Sequence, residues 1–293
     1  MKKYSIDPEL ARYCIDMPFS PAILLSAHPA MKLMYTATPI PRGVRRKTVR
    51  HSGYRLDIFE PSCAENELPC LLYFHGGGFG YMAAPYHKKL AAIYAQNAGC
   101  RVVCPDYSLT PRDPYPAARK DAERAFEWTK KTYPAVPIGV GGDSAGAVLA
   151  SYAVKKADGA LAFQMLIYPV CCASGDTGSI KKYTDTPLWN SRNNKKMWEL
   201  YLPGGIDPRA VPMTAPLPPS IPDTYIELAE FDCLHDEGVL YAARLKKAGA
   251  SVELNETSGT MHGYDIALRA RVTQKSITRR IEFIKSGFGK IQT

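Results

Sequence analysis

The sequence predicts an α/β protein whose mostly parallel central sheet is flanked by helices. Short apolar runs alternate with helical segments through most of the chain, which is typical of parallel strands joined by right-handed crossovers. Hydrophobic residues make up 46% of the 293 residues and charged residues 22%. A chain of this composition can bury a sizeable core, so disorder as the main state is excluded. The apolar runs are too short to cross a bilayer, which argues against stable membrane insertion.

The predicted elements follow one another in a regular order. A strand-like pair lies around residues 48–50 and 54–59, and four buried strands are expected at 70–74, 101–104, 138–141 and 163–168. Helices are predicted at 88–98, 117–131 and 144–156. The alternation breaks between about 171 and 222. It resumes with strands at 225–228 and 251–254 and with helices at 237–248 and 273–285.

Charge and cysteine content narrow the expected partners. The 37 Lys and Arg residues exceed the 28 Asp and Glu residues, for a net charge of +9. Because no nucleic-acid motif accompanies this charge, a solvated basic surface is favoured, nucleic acid is not an expected partner, and an acidic substrate stays open.

The start of the chain lacks the apolar stretch of a signal peptide. None of the eight cysteines has C-x-x-C or zinc-finger spacing, so we expect a cytoplasmic protein with reduced thiols and no metal site.

A nucleophile is predicted at Ser144. The segment 142–146, GDSAG, matches G-x-S-x-G, follows a predicted strand and opens a predicted helix. That is the context of a strained strand-to-helix turn, where glycines let the backbone fold sharply. The N-terminus of the helix also favours developing negative charge. The alternative is that Ser144 only caps the helix.

A glycine-rich loop is predicted at residues 75–79, HGGGF, directly after the strand at 70–74. Three consecutive glycines lose much backbone entropy when they are ordered, so their presence indicates a specific structural or functional requirement. One reason is a set of N–H groups that hold an oxyanion. A tight turn or a phosphate loop are the alternatives, and the phosphate loop is disfavoured because no Gly-Lys-Ser/Thr follows.

A serine nucleophile needs a base and an orienting carboxylate. In an α/β protein with a serine on a strand-to-helix turn, the carboxylate and then the histidine follow the serine along the chain. His262 is the only histidine beyond the last predicted strand. Asp232 follows the preceding strand and is the favoured acid, with Glu230, Asp236 and Glu237 as competitors. The last two are typical first-turn residues of the next helix, where carboxylates complement the helix dipole.

Taken together, these motifs resemble the hormone-sensitive-lipase-like family of α/β-hydrolase carboxylesterases. The matching motifs run from about residue 70 to 265, and they are HGGGF at 75–79, DYSLTP at 106–111, GDSAG at 142–146, DCLHDEG at 232–238 and HGY at 262–264. The resemblance implies the α/β-hydrolase fold. It also implies Ser144 as nucleophile, His262 as base and Asp232 as the partner of that base.

The resemblance further implies an oxyanion hole formed by the backbone N–H groups of Gly77, Gly78 and Ala145. In the family, the histidine at position 75 usually supports the glycine loop and is not a base. The chain departs from the family pattern at supporting positions, where Ser108 replaces an arginine, Cys233 a proline and Ala147 a glycine. These departures concern loop rigidity and pocket shape and leave the three catalytic candidates in place.

By the same resemblance, residues 1–45 and about 171–215 would form a small helical cap over a catalytic domain that spans residues 46–293. Five large side chains are candidates for the substrate pocket: Phe79, Trp189, Met197, Trp198 and Tyr201. The alternative for the cap residues is that they pack the cap against the core.

The resemblance implies hydrolysis of short-chain acyl esters through an acyl-enzyme, with a small-molecule ester as partner and no cofactor. Similar proteins are often dimers, which leaves a homodimer open. A serine peptidase or amidase on the same fold is one alternative, although such peptidases commonly carry an extra domain and this chain has little room for one. A small-molecule receptor without the chemistry is the other, but all three catalytic candidates are present.

Overall fold

A computed structural model describes residues 3–51, 54–63 and 67–290. The strands among these residues form one eight-stranded sheet. The strands are β1 (Val44–His51), β2 (Tyr54–Pro61), β3 (Cys70–Phe74), β4 (Arg101–Asp106), β5 (Ile138–Asp143), β6 (Phe163–Ile167), β7 (Asp223–Phe231) and β8 (Val252–Met261). Their order in the sheet is β1-β2-β4-β3-β5-β6-β7-β8. β2 is antiparallel to both of its neighbours, and all other pairs are parallel. The predicted α/β class with a mostly parallel sheet is confirmed.

Helices connect most of the strands. They are α1 (Pro21–Ala37), α2 (Pro85–Ala98), α3 (Ala117–Thr132), α4 (Ala145–Ala157), α5 (Gly178–Lys182), α6 (Ser191–Tyr201), α7 (His235–Lys247) and α8 (Arg271–Gly289). α5 and α6 lie in the stretch where the predicted alternation breaks. α2 begins three residues earlier than predicted because a proline is well suited to the first helical position, where its missing N–H costs nothing.

The core lies on both faces of the sheet. Along β3, Leu72 and Phe74 belong to one buried cluster, whereas Leu71 and Tyr73 belong to the other. This alternation is the period of two that a strand imposes on its side chains. α3 and α4 contribute buried residues to the first cluster, and α2 and α8 contribute to the second. Because both faces are covered, the central strands are apolar throughout.

β8 is an edge strand, and its pattern explains why its prediction was too short. Only β7 pairs with it among the described strands, and most of its side chains are partly or fully exposed. Beyond Leu254 the residues of the strand are mostly polar, so this part of the sequence lacks the apolar run that predicts a buried strand. The strand becomes buried again at Thr260 and Met261, immediately before His262.

The N-terminal segment packs against two distant parts of the chain. The ring of Phe19 lies 5.2 Å from that of Trp189, and the side-chain amide of Asn193 donates to the carbonyl of Met17 at 2.7 Å. These contacts join the two segments that the sequence assigns to a cap. At the start of the segment, Asp7 N donates to the carbonyl of residue 259, and the carboxylate of residue 9 pairs with the side chain of residue 271.

Candidate active site

The segment after β5 makes a sharp turn at Ser144. The residue has φ 54° and ψ −121°, a conformation that costs energy for any side chain except glycine. Its backbone N–H donates to the carbonyl of Ile167 at 2.9 Å, and its own carbonyl accepts hydrogen bonds from Ala147 and Val170. The neighbouring strand and the first turn of α4 thus hold the strained residue in place. Strain that the surroundings maintain in this way is typical of a functional position.

Two glycines flank the turn because no larger residue fits there. A Cβ atom on Gly146 would lie 2.1 Å from the carbonyl oxygen of Phe74, and one on Gly142 would lie 2.4 Å from that of Gly146. Both distances are far below van der Waals contact with backbone atoms that cannot move aside. The glycines of the GDSAG segment are therefore required by the close approach of α4 to β3 and β5.

The structure brings together the three side chains that the sequence selected as catalytic candidates. His262 Nε2 lies 2.8 Å from Ser144 Oγ, and His262 Nδ1 lies 2.7 Å from Asp232 Oδ2. A proton on Nδ1 can be donated to the carboxylate, which leaves Nε2 as the acceptor for the serine hydroxyl. All three side chains are buried, and their residues come from the turns after β5, β7 and β8. This hydrogen-bonded chain has the geometry of a serine nucleophile with its base and orienting carboxylate.

The competing carboxylates are engaged elsewhere. Asp232 uses its other oxygen, Oδ1, to accept a hydrogen bond from the backbone of Leu234 at 2.9 Å, which fixes the side chain. Glu230, Asp236 and Glu237 instead accept hydrogen bonds from the backbone N–H groups of Gly259, Ser179 and Cys171, respectively. Among the hydrogen bonds of the described residues, only Asp232 supplies a carboxylate to His262.

The glycine loop lies beside the serine. Gly77 has φ +120°, which a residue with a side chain rarely adopts. Gly77 and Gly78 line the same cavity as Ser144. Within the described part of the chain, the backbone N–H groups of Gly77, Gly78 and Ala145 have no hydrogen-bond acceptor. Unpaired N–H groups next to a nucleophile are the donors that an oxyanion requires.

A buried histidine–carboxylate pair, His87 and Asp143, lies beside Ser144, and no sequence motif predicted it. His87 of α2 accepts a hydrogen bond on Nδ1 from the backbone of Ala84 at 2.9 Å, so its Nε2 carries the proton and donates to Asp143 Oδ2 at 3.1 Å. Tyr73 donates to the other oxygen of Asp143 at 3.0 Å. Burial opposes ionisation of Asp143, but the histidine and these hydrogen bonds outweigh it, and its pKa is lowered. The pair ties α2 to the turn that carries Ser144.

His75, at the start of the glycine loop, is an uncharged scaffold group. Burial, together with the nearby His87, lowers its pKa to about 4. Its ring stacks on Tyr107 with centroids 4.4 Å apart, and its Nδ1 lies 2.7 Å from the carbonyl of Gly76. The ring is therefore neutral near pH 7 and supports the loop through packing.

A second buried network lies behind His262. The ring of Tyr168 meets the imidazole edge-on at 4.8 Å, and its hydroxyl donates to Asp265 at 2.8 Å. Arg280 of α8 donates to the same carboxylate at 2.9 Å and also pairs with Glu227 of β7. Arg280, Glu227 and Asp265 have no exposed surface. No sequence motif marked these residues.

The cavity at the serine has a volume of about 960 Å³. Ser144, His262, Tyr168 and Trp189 line it together with the glycine loop. Trp189 is thus the one predicted pocket residue that lines this cavity.

The other four residues of the pocket prediction, Phe79, Met197, Trp198 and Tyr201, do not line the described cavity. They belong to the buried core instead, where Phe79 stacks on Tyr201 with ring centroids 3.8 Å apart. The buried face of α6 supplies Met197, Trp198 and Tyr201 to this packing. For the three cap residues, this burial favours the alternative that they pack the cap against the core.

In residues 3–51, 54–63 and 67–290, no helix is both long and apolar enough to cross a membrane. In the same residues, His, Cys, Asp and Glu side chains form no group of three or more that could hold a metal ion.

Comparisons with known proteins give a consistent result. A family model described as the alpha/beta hydrolase fold matches residues 71–266. Carboxylesterase NlhH of Mycobacterium tuberculosis is 31% identical over 239 residues, which cover 75% of this chain and 75% of that protein. Ethyl acetate hydrolase of Pseudomonas putida is 32% identical over 207 residues, with 66% and 65% covered. The crystal structure of esterase LipW from Mycobacterium marinum matches with a TM-score of 0.85 at 27% identity, covering 97% of this chain and 96% of that chain.

Proposed function

The chain belongs to the hormone-sensitive-lipase-like carboxylesterase family of the α/β-hydrolase fold, and from this premise we propose the roles of its site residues. Ser144 is the nucleophile, His262 is the general base, and Asp232 orients the imidazole. The observation that carries this proposal is the unbroken hydrogen-bonded chain from Ser144 Oγ through His262 to Asp232.

The proposed reaction has two steps that use the same residues. His262 Nε2 takes the hydroxyl proton as Ser144 Oγ attacks the ester carbonyl carbon, and the imidazolium returns that proton to the departing alcohol. Water then attacks the acyl-enzyme and loses its proton to His262, and the proton passes to Ser144 Oγ as the carboxylic acid is released. Asp232 stabilises the imidazolium in both steps.

The oxyanion of each tetrahedral intermediate would be held by the N–H groups of Gly77, Gly78 and Ala145. Their lack of acceptors within the described chain supports this role. Preorganised donors of this kind need no rearrangement during the reaction, and the loss of one donor typically lowers turnover by ~10²–10³-fold.

We propose short-chain acyl esters as the substrates. The name of the Pseudomonas putida relative, ethyl acetate hydrolase, supports a small acyl group. The crowding of the glycine loop supports it too, because a Cβ atom on Gly78 would lie 2.6 Å from the indole of Trp189. That indole lies 6.0 Å from the ring of His262, so it limits the space next to the reacting carbonyl.

We also propose that residues 1–45 and about 171–215 act as a cap. The packing of Phe19 on Trp189 and the hydrogen bond from Asn193 to Met17 support this division. Trp189 belongs to the second segment and lines the cavity, so the cap would contribute directly to substrate selection.

The decisive experiment replaces Ser144 by alanine. Ser144→Ala should lower the turnover of 4-nitrophenyl acetate and butyrate by ~10⁴-fold or more, because no other group can form the acyl-enzyme. The same variant should no longer be labelled by a fluorophosphonate probe, while its circular dichroism stays unchanged. Ser151→Ala is the matched control, since Ser151 lies on the same helix and its hydroxyl only donates to the carbonyl of Val148.

Three outcomes would count against the proposal. Wild-type turnover in Ser144→Ala would exclude Ser144 as the nucleophile. Labelling without ester turnover in the unmodified protein would favour a receptor that retains a reactive serine. Faster cleavage of 4-nitroacetanilide than of 4-nitrophenyl acetate would favour an amidase.

A further inference from the structure

The cavity at Ser144 is larger than a small acyl ester requires. Its volume of about 960 Å³ lies at the upper end of the ~300–1,000 Å³ that is typical of small-molecule pockets. Beyond the serine, its walls are mainly apolar side chains from the N-terminal segment, α1, α2 and the turn after β8: Met17, Met31, Met34, Ile40, Ile93, Ile266 and Leu268. If the acyl group is short, the remaining space belongs to the alcohol half of the ester.

The charged side chains of the cavity are unevenly distributed. Arg12, Lys89 and Arg269 all line it, and all three are exposed to solvent at its rim. Among the described residues, none of the three forms an ion pair, and Arg12 donates only to the hydroxyl of Tyr13. The one carboxylate in the lining, Asp143, is buried and already engaged by a histidine and a tyrosine.

Other exposed arginines near the C-terminal helix do have carboxylate partners. Arg271 pairs with Glu9 at 2.6 Å, and Arg279 pairs with Glu253 at 2.9 Å. The rim of the cavity thus differs from this nearby surface, because its positive charge is not neutralised locally. A cleft with low-dielectric walls and charges of one sign concentrates ligands of the opposite sign.

We propose that the enzyme prefers esters whose alcohol half has an apolar body ending in an anionic group. The apolar walls bury the body of the alcohol, and Arg12, Lys89 and Arg269 hold the anionic end at the rim. This inference rests on the proposed function, because it takes Ser144 as the point of attack and a short acyl group as the other half. The methionines in the wall, with their flexible side chains, can adapt to bodies of different shape.

Matched substrates can test this preference. The charged series consists of acetates of ω-hydroxyalkanoic acids with about 4 to 12 carbons, and the neutral series consists of the corresponding carboxamides. The readout is the ratio of kcat/KM for the acid to kcat/KM for the amide at each length, from the rate of acetate release. We expect the ratio to peak at one chain length at a value of roughly 5 or more, and to fall toward 1 in about 0.5 M salt because exposed charges are screened.

Charge-removing variants identify the residues. Arg12→Gln, Lys89→Gln and Arg269→Gln should each lower the peak ratio by ~2–5-fold, the effect expected of an exposed ion pair, and the triple variant should remove the peak. Lys130→Gln is the control, since Lys130 is an exposed lysine of α3 that does not line the cavity. It changes the net charge by the same amount and should leave the ratio unchanged.

The possible results separate this inference from the proposed function. A ratio near 1 at every length would overturn the inference while the neutral acetates are still hydrolysed. A preference that does not depend on chain length, or that the triple variant retains, would assign the effect to the net charge of the protein and also overturn it. If neither series is hydrolysed, the proposed function itself fails.

Discussion

Four carboxylates lie close together in the sequence from residue 230 to 237, and their hydrogen bonds distinguish them. Glu230, Asp236 and Glu237 accept from backbone N–H groups of other segments and therefore act as local ties. Asp232 is the one whose free oxygen faces His262, at 2.7 Å. A buried carboxylate in this position selects the imidazole tautomer that can accept the serine proton.

Replacing Asp232 by asparagine should therefore lower kcat by several orders of magnitude, roughly 10⁴-fold, because an amide that donates to Nδ1 favours the wrong tautomer. Steady-state kinetics with 4-nitrophenyl acetate measure the effect. Asp236→Asn is the matched control, since this side chain lies next to His235 and caps α5 through Ser179. Equal losses in both variants would show that the segment tolerates no change and that Asp232 has no special role.

At the level of single residues, the sequence was most informative where the chemistry restricts the residue type. Glycines, a serine and a histidine in a fixed order predicted side chains that lie within hydrogen-bonding distance of one another. The sequence did not reveal the partners that support them, such as His87 or Tyr168. It also did not predict which aromatic residues line the cavity, because Phe79 and Tyr201 could stack on each other or face substrate, and only the packing of α6 decides.

The termination of α1 shows how one element supports another. The last carbonyl groups of a helix have no partner within it. Lys88 of α2 is buried, and its Nζ donates to the carbonyls of Tyr35, Thr36 and Thr38 at the end of α1. Burial lowers the pKa of this lysine, and the three carbonyl contacts compensate for its lost hydration. α1 in turn supplies Met31 and Met34 to the cavity wall.

Lys88→Met should destabilise the protein by about 2 kcal/mol, because the carbonyls lose their donor while the apolar stem is retained. Urea denaturation followed by circular dichroism measures the free energy of unfolding. Lys247→Met, at an exposed position near the end of α7, serves as the control and should change stability by less than about 0.5 kcal/mol. An unchanged denaturation midpoint for Lys88→Met would mean that α1 does not depend on this contact.

The elements with a clear periodic pattern were predicted well, and the others were not. β3, β5 and β6 are buried on both faces, so their apolar runs identify them. α1 is 17 residues long but contains Pro29 and has few buried residues, so its pattern is ambiguous. The last part of β8 is polar because the strand lies at the edge of the sheet. Tertiary position, which a local pattern cannot encode, determines these elements.

At the scale of the whole molecule, buried charges connect the layers of the fold. Arg280 of α8 reaches across to Glu227 of β7 and to Asp265, which follows the loop of His262. Burial raises the pKa of Asp265 despite its pairing with the arginine. Removing one member of such a cluster leaves the others uncompensated in a low-dielectric interior, so the cluster fixes the relative position of helix, strand and loop.

Glu237 makes the stability of the whole molecule depend on pH. Burial raises its pKa from 4.5 to about 8, although the backbone N–H groups of Cys171 and Cys172 favour the ionised form. The folded state thus keeps a proton that the unfolded state releases above about pH 4.5. The protonated carboxyl group therefore makes its full contribution to the free energy of unfolding below about pH 4.5. This contribution is lost as the pH rises through about 8.

The variant Glu237→Gln keeps a hydrogen-bond acceptor and removes the titration. Relative to the unmodified protein, its free energy of unfolding should increase with pH between about 5 and 8, by about 1.4 kcal/mol for each pH unit. Urea denaturation at pH 5.5, 7.0 and 8.5 measures the difference. Glu199→Gln, on the exposed face of α6, is the control for the loss of one negative charge. A constant difference for Glu237→Gln would mean that this carboxyl group titrates alike in both states.

The tie between residues 9 and 271 has a consequence for biosynthesis. Glu9 is separated by 262 positions from its partner Arg271, and the chain is made from its N-terminus. At a translation rate of ~5–20 residues per second, the first segment would wait roughly 13–50 s before its docking partner is synthesised. Leu10, which lies beside Glu9 and is buried in the finished protein, would remain uncovered for about that time. Residues 8–13 can therefore take up their final position only after the region around residue 264 has been synthesised.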